Sequence, residues 1–284
     1  MNNLKTLSIF ALSACALAGA LSSCKKEEKP DVTAQLVKHE PEKIAQDSVE
    51  TITEDTIAFV PEKKADELFD DFVFAFMKNQ TYQMKRVDFP LKYNVDGQMR
   101  EVTREDWTFD RMYSQYDLYT LVFDNKNAEL AAKDTTLKSV IVEELNLDTH
   151  RTRNYDFKRR EGEWRLTAIN EGGMSESDNS EFYTFYHKFA TDASYQRAHI
   201  CDPLEYSTFD DDNFETIEGI IAADQFEDFA PQLPTTKITN ILYGQSYKNS
   251  TTRILSLRAL SSGMECTMVF KKNDGEWMLT RLDN

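Results

Sequence analysis

Phe157-Lys158-Arg159-Arg160-Glu161-Gly162-Glu163-Trp164-Arg165-Leu166-Thr167 recurs 113 residues later as Phe270-Lys271-Lys272-Asn273-Asp274-Gly275-Glu276-Trp277-Met278-Leu279-Thr280. Seven of these 11 positions are identical. Apolar residues alternate with polar ones on either side of Glu161-Gly162 and Asp274-Gly275, so each stretch reads as two half-buried strands joined by a tight turn. The same offset aligns Phe69, Phe72, Phe76, Tyr82, Gln83, Pro90, Leu91 and Tyr93 with Phe182, Phe185, Phe189, Tyr195, Gln196, Pro203, Leu204 and Tyr206. Average residue usage would supply only about two of these identities by chance.

A period this long exceeds a solenoid unit, so the reading is two copies of one domain, 61–173 and 174–284. Gly172-Gly173 and the following Ser175, Ser177, Asp178, Asn179 and Ser180 mark the junction with turn and cap residues. Within a copy, Phe69, Phe72, Val73 and Phe76 fall at i, i+3, i+4 and i+7, one face of a helix, with Asp70-Asp71 on its solvated side. A second helix holds Tyr82 and Gln83, and Pro90 stops it. Leu91–Val95 turns at Asp96-Gly97 into Met99–Thr103, and Asp106–Gln115 is spaced as a third helix. Leu118–Phe123, Leu137–Leu145, Arg153–Arg159 and Trp164–Ile169 read as strands. This order predicts an α+β fold, with helices packed on one face of a curved antiparallel sheet.

The chain start has a different character. Lys5, an apolar run from Leu7 to Leu21 and the ending Leu21-Ser22-Ser23-Cys24 form a lipoprotein signal at residues 1–23. Its apolar part is too short to span a bilayer before charges resume at Lys25. Cys24 is therefore the expected lipidation site, carrying palmitate-type acyl chains. Residues 24–60 then read as the lipidated cysteine and a flexible tether, holding Pro30, Pro41 and many charges without periodicity. Lys26-Glu27-Glu28 resembles the export signal of surface lipoproteins. The expected location is the cell envelope, lipid-anchored to the outer membrane, with surface exposure as what the Lys26-Glu27-Glu28 resemblance implies and a plain charged tether start as the alternative reading of that tripeptide.

The order of helices and strands, closing on Gly-Glu-Trp-x-Leu-Thr, resembles the nuclear transport factor 2-like fold, also called cystatin-like. Lipobox, tether and two such repeats together resemble a Bacteroides lipoprotein family of unknown function. That resemblance implies two tandem cystatin-like domains and brings no catalytic residues with it.

Composition narrows the function. Asp and Glu number 49 against 33 Lys and Arg, a net charge of -16, which argues against nucleic acid as a partner. Removing residues 1–23, with one Lys and no acid, leaves -17. Cys201 and Cys266 remain as a candidate disulfide: they align with Asp88 and Arg153, opposite charges that suggest spatial neighbours. His150, His187 and His199 lack metal-ligand spacing, and Asp210-Asp211-Asp212-Asn213 lacks the glycine and glutamate of a calcium loop, so no metal is expected. No nucleophile elbow, phosphate loop or dinucleotide turn occurs, so neither a catalytic residue nor a cofactor is assigned. The expectation is a non-catalytic envelope protein that binds a small molecule, glycan or protein partner. The alternative is an isomerase or dehydratase using a buried carboxylate in the cone of one copy. Tyr82, Tyr93, Trp107, Tyr195 and Tyr206 are read as shared core ahead of ligand contacts.

Overall fold

The aromatic run that opens each copy folds as its spacing predicts. In the computed structural model, which describes Asp66 and residues 68–284 apart from 211, α1 spans Phe69–Lys78 and buries Phe69, Phe72, Val73, Phe76 and Met77. α2 (Gln80–Arg86) begins where Asn79 leaves helical geometry and its side-chain oxygen accepts from Tyr82 N at 2.9 Å. That bond satisfies an N–H that the first helical turn leaves free. β1 (Val87–Val95) and β2 (Gln98–Val102) close through Asp96 and Gly97, both at positive φ, the geometry an Asp-Gly turn favours. β3 (Leu118–Phe123), β4 (Ser139–Asn146), β5 (Arg151–Arg160) and β6 (Glu163–Gly173) follow.

The order then repeats as α3 (Ser180–Thr191), α4 (Ala193–Ala198), β7 (Ile200–Asp210), β8 (Glu215–Ile221), α5 (Phe226–Phe229), β9 (Lys237–Leu242), β10 (Thr252–Ala259), β11 (Glu265–Asn273) and β12 (Glu276–Asp283). The proposed signal, Cys24 and tether lie outside the described residues. The described residues fall within one compact unit.

Two local expectations are corrected. Pro90 does not end α2; it lies inside β1, where the pairing with β6 shifts register between Val87 and Lys92. A residue without an N–H is accommodated at such an irregularity. The expected third helix shrinks to a single 3-10 turn, Met112–Gln115. Side chains hold the preceding segment instead: Thr103 Oγ1 donates to Asp106 at 2.7 Å, and Gln83 binds both backbone groups of Asp110.

The twelve strands form two curved six-stranded sheets with orders β2-β1-β6-β5-β4-β9 and β3-β10-β11-β12-β7-β8. Each contains one parallel pair, β1 with β6 and β7 with β12, and is otherwise antiparallel. Each half also gives its third strand away. β3 pairs with β10, and β9 pairs with β4, so the edge strand of either sheet comes from the other half of the chain.

The two exchanged edges face each other at Thr120 and Thr239. Each hydroxyl donates to the other residue's carbonyl, at 2.6 and 2.8 Å, and accepts its N–H, at 2.9 and 2.8 Å. β3 and β9 begin 119 residues apart, whereas β4 and β10 begin 113 apart. Six extra residues before β9 are thus compensated after it.

Equivalent aromatic clusters close the two cores. Phe69 meets Phe157 and Trp164 at 5.3 and 5.1 Å between ring centroids, and Phe182 meets Phe270 and Trp277 at 5.4 Å each. The repeated aromatic positions are therefore packing positions, each fully buried ring contributing on the order of 2–3 kcal/mol. Tyr82 and Trp107 pack on the first core, Tyr195 and Tyr206 on the second.

Candidate functional site

Side chains on a strand alternate between faces, so the register fixes which residues share the inner face of the first sheet. One cross-strand row reads Tyr93, Ile169, Tyr155, Val142 and Ile241. The next row, one step farther from α1, reads Val95, Glu171, Arg153, Glu144 and Thr239. An apolar cone thus ends in a row of acid, base and acid.

Asp110 joins this row from the segment ahead of the 3-10 turn. Arg153 Nη2 reaches Asp110 Oδ2 at 3.2 Å, and its Nε reaches Glu171 Oε1 at 3.4 Å. Tyr155 donates its hydroxyl to Asp110 Oδ2 at 2.9 Å, and Tyr93 donates to Glu171. Asp110 is placed by Gln83, which accepts its N–H at 2.9 Å and donates to its carbonyl at 2.7 Å, while Asp110 Oδ1 accepts Met112 N at 2.8 Å.

Glu144 is held more loosely. Its Oε2 lies 3.5 Å from the Tyr155 hydroxyl, and its Oε1 is buried without a hydrogen-bond partner. Burial, reinforced by the Asp110 charge, pushes its carboxyl up to about 7 against the opposing pull of Arg153 and Lys237. Burial likewise raises Tyr155 and Tyr93.

A cavity of about 880 Å³ opens over this row. Beyond the charged residues, Tyr116 and Leu118 line it where the chain enters β3, and Leu233 and Lys237 where it enters β9. Its volume lies within the range of small-molecule sites. Both exchanged strands contribute to its rim, so the strand exchange builds part of the site.

The second sheet is different at the same place. The residues corresponding to Glu144, Arg153, Tyr155 and Asp110 are Leu257, Cys266, Met268 and Ala223, and the first three are fully buried. Leu257 pairs with Cys266 and with Thr120, just as Glu144 pairs with Arg153 and Thr239.

The candidate disulfide is not formed: Cys201 and Cys266 are free thiols. β12 separates their strands, and Ile200 stands opposite Leu279 while Cys266 lies four residues along β11 from Leu279's other partner, Phe270. Strand geometry then puts the two Cα atoms on the order of 15 Å apart, well beyond bridging distance. Burial pushes the Cys266 thiol up to about 12. The residues that suggested the pairing are not partners either: Asp88 binds Arg160 and Arg165, while Arg153 binds Asp110 and Glu171.

The remaining sequence candidates disperse. His187 lies 3.5 Å from Asp148 with its ring 6.0 Å from His150, whereas His199 stacks on Tyr195. Asp210 accepts hydrogen bonds from Asp212 and Asn213, which lower its carboxyl; Asp211 is outside the described residues. Among the described residues, no group of three or more His, Cys, Asp or Glu is placed to hold a metal ion, and no helix is long and apolar enough to cross a membrane. Asp70 departs from its expected solvated setting. Tyr243, delivered by the exchanged β9, donates to it at 2.6 Å, and burial raises its carboxyl.

Helices against a curved sheet, with a cavity at its inner face, define the nuclear transport factor 2-like class. The chain is similar to a crystallised NTF2-like protein from Bacteroides fragilis NCTC 9343, with 34% identity and a TM-score of 0.71 over 78% of this chain and 96% of that one. Residues 45–284 match the domain of unknown function DUF4348, and the chain belongs to that family. No curated protein matches it.

Proposed function

We propose that the chain is a lipid-anchored envelope protein, attached through Cys24 to the outer membrane, whose body binds a small polar ligand over the Glu171-Arg153-Glu144 row. The observation that carries the binding reading is the contrast between the sheets: the fold tolerates Leu257 and Cys266 where the first sheet keeps Glu144 and Arg153 beneath an open cavity. Buried ionic groups are weak contributors to stability, so their retention at a cavity speaks for recognition.

A thermal-shift screen of the full chain against metabolites, glycans and peptides tests this beside the doubly substituted Glu144→Leu, Arg153→Cys protein. At least one compound should raise the melting temperature of the parent and not of the variant. Equal shifts in both, or none in either, overturn the reading. Anchoring is tested separately: Cys24→Ser should move the protein from the membrane fraction to the soluble one.

A second reading, acid-base catalysis of the isomerase or dehydratase type, is favoured by one feature. Glu144 is poised to exchange a proton near neutrality beside the Tyr155–Asp110 pair. Deuterium uptake into a carbon position of a bound compound, lost in Glu144→Gln, would select it over binding alone.

A further inference from the structure

We propose that the ligand of this cavity is a small zwitterion, with its ammonium group seated on Glu144 and its carboxylate held by Lys237. A free amino acid and a short peptide are the two sources of that chemistry. The proposal rests on the cavity being the binding site.

The charges at the cavity are not equally available. Arg153 is neutralised by Asp110 and Glu171, which in turn accept from Tyr155 and Tyr93. Glu144 keeps a buried oxygen without a partner. At the rim, Lys237 donates to the Tyr116 hydroxyl at 3.0 Å instead of to a carboxylate. Glu144 and Lys237 act on one another electrostatically without forming an ion pair. Both project from the inner face, Glu144 opposite Thr239 and Lys237 two residues farther along β9. Strand spacing then separates their Cα atoms by about 8 Å diagonally. One acceptor and one cation thus line the same cavity from neighbouring strands.

Other ligand classes fit less well. A simple cation would meet Arg153 and Lys237, and a dianion would meet Glu144, Asp110 and Glu171. A neutral sugar would leave both Glu144 and Lys237 uncompensated. The second half adds an independent sign that the two charges belong together. Glu144 corresponds there to Leu257, and Lys237, by the strand exchange, to Leu118. Both charges are replaced by leucine, while Thr239, between them on this face, keeps its counterpart in Thr120.

Titration calorimetry on the full chain, with the 20 free amino acids, trialanine and triglycine as probes, tests the assignment. N-acetyl-triglycine, triglycinamide, putrescine, succinate and glucose serve as controls. At least one amino acid or tripeptide should bind. Blocking the amine or the carboxylate should weaken binding at least tenfold, Glu144→Gln should abolish the preference for a free amine, and Lys237→Gln the preference for a free carboxylate. Stronger binding of a tripeptide than of its amino acid identifies peptides as the source, and the reverse identifies free amino acids.

The groups facing Glu144 are Arg153 and Tyr155 from β5, Lys237 from β9 and Asp110. As Glu144 ionises, affinity should rise about fivefold from pH 6 to pH 7, below the range where peptide amines lose their proton. Absence of binding by every amino acid and tripeptide overturns the zwitterion, as does a control that binds best. If that control no longer binds Glu144→Leu, Arg153→Cys, the cavity survives as the site; if a probe binds parent and variant alike, the cavity itself fails.

Discussion

The two sheets share an order, an edge exchange and a core of matched aromatic residues, yet differ across one row of their inner faces. Glu171, Arg153, Glu144 and Thr239 in the first become Asn284, Cys266, Leu257 and Thr120 in the second. One fold therefore accepts either chemistry at this row, and charge there is not needed for folding. The supports differ as well. Gln83 makes four hydrogen bonds, to Phe76, Trp107 and both backbone groups of Asp110, whereas Gln196 keeps the first of them, to the carbonyl of Phe189 at 3.0 Å. The half with the charged row also holds the clamp that positions Asp110.

The largest test removes the comparison altogether. Because β3 completes the second sheet and β9 the first, cutting the backbone after Gly173 should leave neither half able to fold alone. The mixed halves should recover the circular dichroism and a single cooperative transition. The effect is the whole folding free energy, on the order of 5–15 kcal/mol. Two independently folded halves would show that the exchange is dispensable.

Swapping the chemistry of the two rows comes next. Leu257→Glu places a carboxyl among buried apolar groups with no Arg153 beside it and should cost about 3–5 kcal/mol in urea unfolding at pH 8. Glu144→Leu should do the opposite. A carboxyl whose pKa is raised on folding contributes fully below its unfolded value, near 4.5, and loses that contribution as pH rises through about 7. Relative to the parent, Glu144→Leu should therefore gain roughly 2–3 kcal/mol between pH 5 and pH 8. A difference that does not vary with pH would remove Glu144 as a titrating group. The clamps give a smaller contrast: Gln83→Leu should cost about 3 kcal/mol and Gln196→Leu about 1, and only the first should lower ligand affinity.

Much of this was legible in the chain because the signals are periodic. Phe69 to Phe76 and Phe157 to Thr167 state their faces through spacing, and the apolar run Leu118–Phe123 is the whole of β3. What spacing cannot carry is partnership. Nothing in Leu118–Phe123 says that β10 rather than β4 will receive it, because either pairing buries the same face. The environment of Asp70 follows from that choice, since Tyr243 comes directly after the exchanged strand. The third helix failed because Gln83 binds the backbone of Asp110, a contact 27 residues distant. The site did leave a trace. Aligning the copies set Arg153 against Cys266, a charge change that pointed to a disulfide; extended to Glu144 against Leu257 and Asp110 against Ala223, the alignment outlines the charged row.

The smallest expected difference lies where the halves are equivalent. Thr120 and Thr239 are both buried, and each closes the other's backbone N–H and carbonyl. Replacing either with valine keeps the shape and the β-branch but strips two buried backbone groups of their partner, costing about 2–3 kcal/mol. Since the contact is reciprocal, Thr120→Val and Thr239→Val should agree within about 0.5 kcal/mol in urea unfolding, although both line the cavity and Thr239 pairs with Glu144 of the charged row while Thr120 pairs with Leu257 of the apolar one. The double substitution should cost less than the sum, because hydroxyls that bond to each other's residues are not independent. Unequal single costs would mean that the charged row strains the edge beside it, extending the asymmetry of the two sheets to their shared seam.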